Sequence, residues 1–150
     1  MAVSGYDLAM TTYLCKSEPD DYSYADLTRD KKTVWDGVAN PQACIHIRDI
    51  RKGDEILIYH TGNEKRIAGL AVAANDPYPD PKRPDLTAKG DVKFPVFDIK
   101  PVKEATKRIT LKDIKADDRF ADFALVKQSR LSVMPVPKKL DTALRKLAGL

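Results

Sequence analysis

Groups that perform chemistry are scarce in this chain. Its 150 residues hold two cysteines, two histidines and one tryptophan. The pair Cys15 and Cys44 makes no disulfide framework for a chain of this size, so a reducing, cytoplasmic setting is expected. Cys44-Ile45-His46 sets a thiol two residues from an imidazole, but a structural zinc site needs four ligands at recognisable spacings. Only Cys15 and His60 remain to complete one, so neither metal nor cofactor is expected. No serine stands in a Gly-x-Ser-x-Gly elbow, and no glycine-rich phosphate loop is present. No apolar run approaches the roughly 20 residues of a membrane span, and no basic segment followed by an apolar one opens the chain, so no membrane partner is expected. Internal repeats and low-complexity tracts are lacking too.

What is present suits one globular unit. Hydrophobic residues make up 43% and charged residues 32%, a balance that argues against disorder. A chain of this length buries about two-thirds of its unfolded surface without covalent staples. Met1 to Met10 reads as a loosely held leader; the periodic pattern begins at Thr11, which suggests a leader over 1–12 and a single domain over 13–150. The net charge is +4, but its placement is uneven. Lys127, Arg130, Lys138, Lys139, Arg145 and Lys146 face one acid, Asp141, over the last 24 residues, leaving the rest of the chain at −1. A basic end on a nearly neutral body fits either localised phosphate attraction or a solvated helix face.

Periodicity sketches the elements. Thr11 to Cys15 is a short strand by its β-forming residues, and Ser23 to Asp26 has the spacing of a helix capping box. Asn40 to Ile50 reads as a helix with Ala43, Ile47 and Ile50 on one face. Asp54 to Thr61 and Arg66 to Ala74 are nearly continuous apolar strands, which implies burial on both faces of a curved sheet. Gly69 within the second marks a bend or a close backbone approach. The proline-rich stretch from Asp76 to Pro84 is expected as an ordered surface loop. Pro95 demotes Asp91 to Lys100 to an edge strand or bulge. Thr110 opens a short helix, Arg130 to Val136 forms a last strand, and Leu140, Ala143, Leu144 and Leu147 line one face of a terminal helix. The expected class is α+β: a small curved β-barrel of mixed strands flanked by short helices.

Trp35 stands in Thr33-Val34-Trp35-Asp36-Gly37-Val38-Ala39-Asn40. Gly37 lets backbone approach closely, and Asp36 and Asn40 supply polar edges, so a flat ligand can reach the indole. The competing reading makes Trp35 a lid on the core. Lys16-Ser17-Glu18-Pro19 gathers an amine, a hydroxyl and a carboxylate at the end of the first strand. Those groups suit general acid–base chemistry, or the binding of a polar edge, or a turn. His60 ends the Asp54–Thr61 strand, either facing a cleft or satisfied by backbone.

Taken in order, five segments carry a resemblance: Lys16-Ser17-Glu18-Pro19, Trp35-Asp36-Gly37-Val38-x-Asn40, Tyr59-His60-Thr61, Tyr78-Pro79-Asp80-Pro81, and Gln128-Ser129-Arg130-Leu131-Ser132-Val133-x-Pro135-Val136. With those spacings the chain resembles the EVE domain of the PUA-like superfamily, from about Tyr13 to the C-terminus. The resemblance implies a curved barrel with a pocket for one nucleobase, often a modified one such as 5-methylcytosine, in DNA or RNA. By motif, Lys16 and Ser17 would form the polar rim, and Trp35, Gly37, Val38 and Asn40 one wall. Tyr59 and His60 would form another wall, and Gln128, Arg130, Leu131 and Ser132 the floor or the contact to a flanking phosphate. Arg130 with Lys127, Lys138 and Lys139 would hold phosphates, contributing salt-sensitive affinity with little sequence information. Extruding a base costs a few kcal/mol, recovered by stacking and by hydrogen bonds to its Watson–Crick edge.

The chain departs from the family pattern after the tryptophan. Where the motif reads like Gly-Val-Arg-Asn-Tyr-Gln-Ala-Arg-Asn, Ala39, Pro41, Cys44 and Ile45 replace two arginines, a tyrosine and an asparagine. Losing two cations there weakens phosphate contact at that wall. Three functions follow as expectations. The leading one is a non-enzymatic reader of a modified base, with no catalytic residue. The second is a small amidohydrolase of the related ASCH type acting on acylated nucleosides through Lys16, Ser17 and Glu18. The third is an interaction module whose pocket is vestigial.

Overall fold

The computed structural model describes residues 11–150; residues 1–10, which carry most of the expected leader, lie outside them. The sheet is built outward from β1 (Thr12–Ser17). Thr12 through Cys15 are all buried, because β1 is covered on both faces and paired on both edges. It runs parallel to β3 (Glu55–His60) and antiparallel to β7 (Val133–Val136). Asp54 ties its start down, accepting the Thr11 N–H at 3.0 Å and the Arg51 N–H at 2.8 Å.

The two apolar runs form a hairpin of β3 and β4 (Arg66–Ala73). Its turn uses left-handed backbone at Gly62 and Lys65. Beyond β4 lie β6 (Pro95–Glu104) and then β2 (Thr33–Trp35), giving the order β2-β6-β4-β3-β1-β7, with the two-residue β5 (Tyr78–Pro79) paired to β6. Register shifts between Ile58 and Tyr59 and between Leu70 and Ala71 break the ladders locally. Such bulges raise the local twist, and the sheet curls into a half-barrel.

Among the described residues, five helices flank it. α1 (Tyr24–Asp30) opens on the Ser23–Asp26 capping box, with both reciprocal bonds made. α2 (Pro41–Asp49) is capped by Asn40, whose Oδ1 accepts the Ala43 N–H at 3.0 Å; Pro41 takes the first helical position, where no donor is missed. α3 (Leu111–Lys115) repeats the capping box with Thr110 and Asp113. A 3₁₀ turn (Asp118–Phe120) leads to α4 (Ala124–Lys127), and α5 (Lys138–Ala148) ends on left-handed Gly149. No helix among the described residues is long and apolar enough to cross a membrane.

The α+β class and curved mixed sheet match expectation; three local readings do not. The strand expected over 91–100 runs Pro95–Glu104 and lies inside the sheet, not at its edge. Pro95 is tolerated because it heads the strand opposite Pro79, so neither position offers a ladder N–H, and Pro101 falls at the register shift. The proline-rich stretch is not wholly loop, since it contributes β5. β2, which positions Trp35, had no counterpart in the sequence reading.

Candidate nucleic-acid interface

β1 and β2 end beside one another, and the chain leaving each forms an open cleft of about 620 Å³. Lys16, Ser17 and Glu18 border it from β1, and Trp35 through Ala39 from β2. Asp21, Tyr22, Thr33, Val34 and Ser132 complete it. Trp35 pairs with Phe97 across the sheet and is 9% exposed. Trp35 therefore packs in the core and also borders the cleft, so the two sequence readings of Trp35 are compatible. Gly37 adopts φ +79°, a conformation that L side chains rarely take, and a Cβ there would meet open space. The backbone N–H groups of Gly37, Val38 and Ala39 have no acceptor among the described residues, leaving donors on this rim.

The polar groups are individually anchored. Ser17 Oγ donates to the Tyr22 carbonyl, which leaves the hydroxyl oxygen free to accept. Lys16 Nζ donates to the Ser129 carbonyl at 3.0 Å, and its backbone N–H to the Ser132 carbonyl at 2.9 Å. Burial lowers the Lys16 amine below its ordinary pKa. Glu18 accepts from the Thr61 hydroxyl at 3.2 Å and from the Asp20 N–H at 3.2 Å. Tyr22 donates its hydroxyl to Asp30 at 2.9 Å. Nothing pairs the Lys16 amine with Ser17 or Glu18 in the manner of a nucleophile and its base.

Other residues named from the sequence stand elsewhere. Asn40 spends its side-chain oxygen on the α2 cap. Leu131 is buried in the core and does not border the cleft. His60 is 3% exposed; its Nε2 accepts the Tyr24 N–H at 3.0 Å, so Nδ1 carries the proton and donates to Glu64 at 2.9 Å. That bond, and a second from Arg66, hold the Glu64 carboxyl below its ordinary pKa. His60 is thus satisfied by backbone and does not form a cleft wall. Tyr59 is also buried and borders an adjoining cleft of about 310 Å³, which shares Lys16 with the first.

The basic C-terminal residues do not form one patch. Lys127 pairs with Asp122 at 2.9 Å. Arg145 is locked between Glu55 and Asp141, each at 2.8 Å. Lys138 borders a separate hollow of about 1000 Å³, with Thr11 and Thr12 at the opposite end of β1; Lys139 is exposed beside it on α5. Gln128 and Arg130 are exposed on the turn into β7, flanking the Ser129 carbonyl that holds Lys16. Sequence reasoning did not place Asp21, Tyr22 and Thr33 at the cleft; nothing in their local pattern signals that the sheet brings them beside Trp35. Among the described residues no three His, Cys, Asp or Glu side chains are grouped to hold a metal ion.

Comparison with known proteins bears on this arrangement. Thymocyte nuclear protein 1 of Homo sapiens is 27% identical over 155 residues, covering 85% of this chain and 69% of that protein. A Rhodopseudomonas palustris protein solved by NMR superposes with a TM-score of 0.83 at 37% identity, covering 93% of this chain and 94% of its own. The human thymocyte nuclear protein 1 crystal structure in complex with DNA containing 5-methylcytosine superposes at 0.79 with 26% identity, over 91% of this chain and 96% of that one. An ASCH protein of Zymomonas mobilis, at 0.61 and 17% identity over 91% and 98% of the two chains, shares the fold alone. The EVE domain family profile matches residues 11–146, which span the half-barrel and the cleft beside Trp35, and the chain belongs to the EVE domain family.

Proposed function

We propose that this protein is a non-enzymatic reader of modified DNA that receives one everted, 5-methylcytosine-type base in the cleft beside Trp35. The observation that carries the reading is the chemistry of that cleft: Trp35 borders it, with acceptor carboxylates from Glu18, Asp21 and Asp36 around it. Its volume falls within the roughly 300–1,000 Å³ usual for small-ligand sites. Carboxylates favour cytosine, whose N4 amino group is a donor, over thymine, which presents an acceptor there. The free N–H groups from Gly37 to Ala39 suit the ring's acceptors. Val38, half-buried against the core, offers an apolar surface for a methyl group. Burying one methyl contributes about 0.8 kcal/mol, or roughly fourfold in affinity. The similar human protein, solved with 5-methylcytosine DNA, supports the same ligand class.

The test is fluorescence anisotropy with labelled strands that differ at a single position. A 5-methylcytosine strand should bind about fourfold tighter than its cytosine twin, and both tighter than one carrying thymine. Equal affinity for all three strands contradicts base reading. The burial-lowered Lys16 amine favours a second reading, an amidohydrolase acting on acylated nucleosides. Its test is mass spectrometry of such nucleosides incubated with the protein, and turnover lost in Lys16→Ala would replace the first proposal.

A further inference from the structure

An everted base brings its phosphates with it, and the cleft beside Trp35 is the wrong place for them. Glu18, Asp21 and Asp36 border it, against the single cation of Lys16. The adjoining cleft has the opposite character. Lys16, Lys65 and Lys115 line it and no acid does; Glu18 lies behind its rim, accepting from the Thr61 hydroxyl. Tyr59, Leu111, Leu125 and Val126 supply its apolar walls. None of the three lysines forms an ion pair among the described residues, whereas Lys127 and Arg145 are already partnered.

The three lysines reach this cleft from three separate elements. Lys16 leaves the end of β1, tethered to the Ser129 carbonyl and standing 6.0 Å from the Tyr59 ring centroid. Lys65 closes the β3–β4 turn with φ +45°, and its carbonyl accepts the Leu111 N–H at 2.7 Å. That bond draws the start of α3 against the turn. Lys115 lies in the last turn of the same helix. A volume of about 310 Å³ is at the low end for a ligand site, suited to a sugar and phosphate. Dry walls strengthen the attraction between a phosphodiester and ammonium groups at the mouth.

We propose that this second cleft seats the backbone of the bound strand: the sugar beside the everted base packs on Leu111, Leu125 and Val126, and its phosphodiester lies among Lys16, Lys65 and Lys115. Lys16, shared by both clefts, marks where base and backbone part. The everted base rests on the function proposed above; the phosphate seat does not require the methyl group.

The experiment uses Lys65→Gln/Lys115→Gln and, for comparison, Lys138→Gln/Lys139→Gln, all four positions being exposed. Probes are a single strand with one 5-methylcytosine, its unmodified twin, and free 5-methyl-2′-deoxycytidine, titrated across a salt series. Lys65→Gln/Lys115→Gln should weaken strand binding about tenfold and flatten the salt dependence of log K by about 1–2. Nucleoside affinity should be unchanged, and Lys138→Gln/Lys139→Gln should match the wild type. The inference is overturned if only the Lys138/Lys139 pair flattens the slope. An equal loss of nucleoside and strand affinity in Lys65→Gln/Lys115→Gln also overturns it. If both strands bind alike and Lys65→Gln/Lys115→Gln still flattens the slope, base reading falls and the phosphate seat stands. A wild type that binds no strand overturns both.

Discussion

The proposed function gives Trp35 a task beside its place in the core, and one set of substitutions can separate the two. It belongs to the core cluster and is 9% exposed, so Trp35→Ala opens a cavity. Such truncations cost about 3–5 kcal/mol, against a domain stability of about 5–15 kcal/mol. At about 2–4 °C per kcal/mol for a chain of this size, Tm should fall by about 6–20 °C. Loss of base stacking should cost a further 1–3 kcal/mol of binding, roughly 5- to 150-fold in Kd. The two losses follow different chemistry. Trp35→Leu restores much apolar volume but no aromatic face; Trp35→Phe keeps a smaller aromatic face. Stability should therefore run Trp, then Phe and Leu together, then Ala. Affinity should run Trp, then Phe, then Leu and Ala together. Anisotropy with a 5-methylcytosine strand, well below the lowest Tm, gives the second order, and thermal melts give the first. Because Trp35 is the sole tryptophan, its emission should also change on binding. If affinity follows Tm through all four proteins, or saturating strand leaves the emission unaltered, Trp35 only fills the core and the stacking argument is refuted.

Two further outcomes concern the frame around the cleft. A Cβ at Gly69 would stand 2.6 Å from Tyr24 Cε2, and the Tyr24 ring is buried with its hydroxyl donating to the Leu70 carbonyl at 2.6 Å. The ring has little room to swing, so Gly69→Ala should cost about 1–3 kcal/mol and lower Tm by about 2–12 °C; an unchanged Tm means the ring yields. At high pH two phenols carry the largest shifts among the tyrosines. Tyr13 is pushed from 10.0 up to about 12, chiefly by burial, and Tyr78 from 10.0 to about 12, chiefly by its hydrogen bond to Asp98. Between pH 10 and 12 the unfolded chain holds fewer protons than the folded one, so the stability present below pH 10 is lost across that window. Thermal melts should show Tm falling there, less steeply in Tyr78→Phe; a Tm that rises from pH 10 to 12 contradicts the assignment.

The legible parts of the sequence were those whose neighbours in space are also neighbours in the chain, or whose pattern repeats. The Ser23 and Thr110 capping boxes close within three residues, and β3 and β4 declare themselves by unbroken apolar runs. β2 and β5 have three and two residues, too few for any period to register. β6 was misplaced because a proline counts against a strand only where its N–H is needed, and that depends on Pro79, a partner 16 residues away. The site was read through an ordered motif, which records residues kept for any reason. Trp35, Ser17, Gly37, Val38 and Ser132 do meet at one cleft. His60 is fixed by the Tyr24 N–H, 36 positions upstream, and Asn40 by the start of a helix. Both are framework, and no spacing distinguishes framework from contact.

Two of the four departures after Trp35, Pro41 and Cys44, have a physical account. Pro41 fixes the backbone at the first position of α2, directly behind the Asn40 cap. Cys44 is buried, with its thiol 3.5 Å from the Val38 carbonyl, so the helix holds back the loop that borders the cleft. Ile45 is 43% exposed, and Ala39 adds no charge. A wall that resemblance would make cationic here carries no cation and keeps the Asp36 carboxylate, which suits the proposed base better than a phosphate. The neighbouring cleft supplies what this wall lacks, since Lys16, Lys65 and Lys115 stand together without carboxylate partners. On the functions proposed above, attraction for the strand and recognition of the base are separated across Lys16. Salt should act on the first and methylation on the second, so raising ionic strength should weaken both methylated and unmethylated strands equally and leave their ratio unchanged.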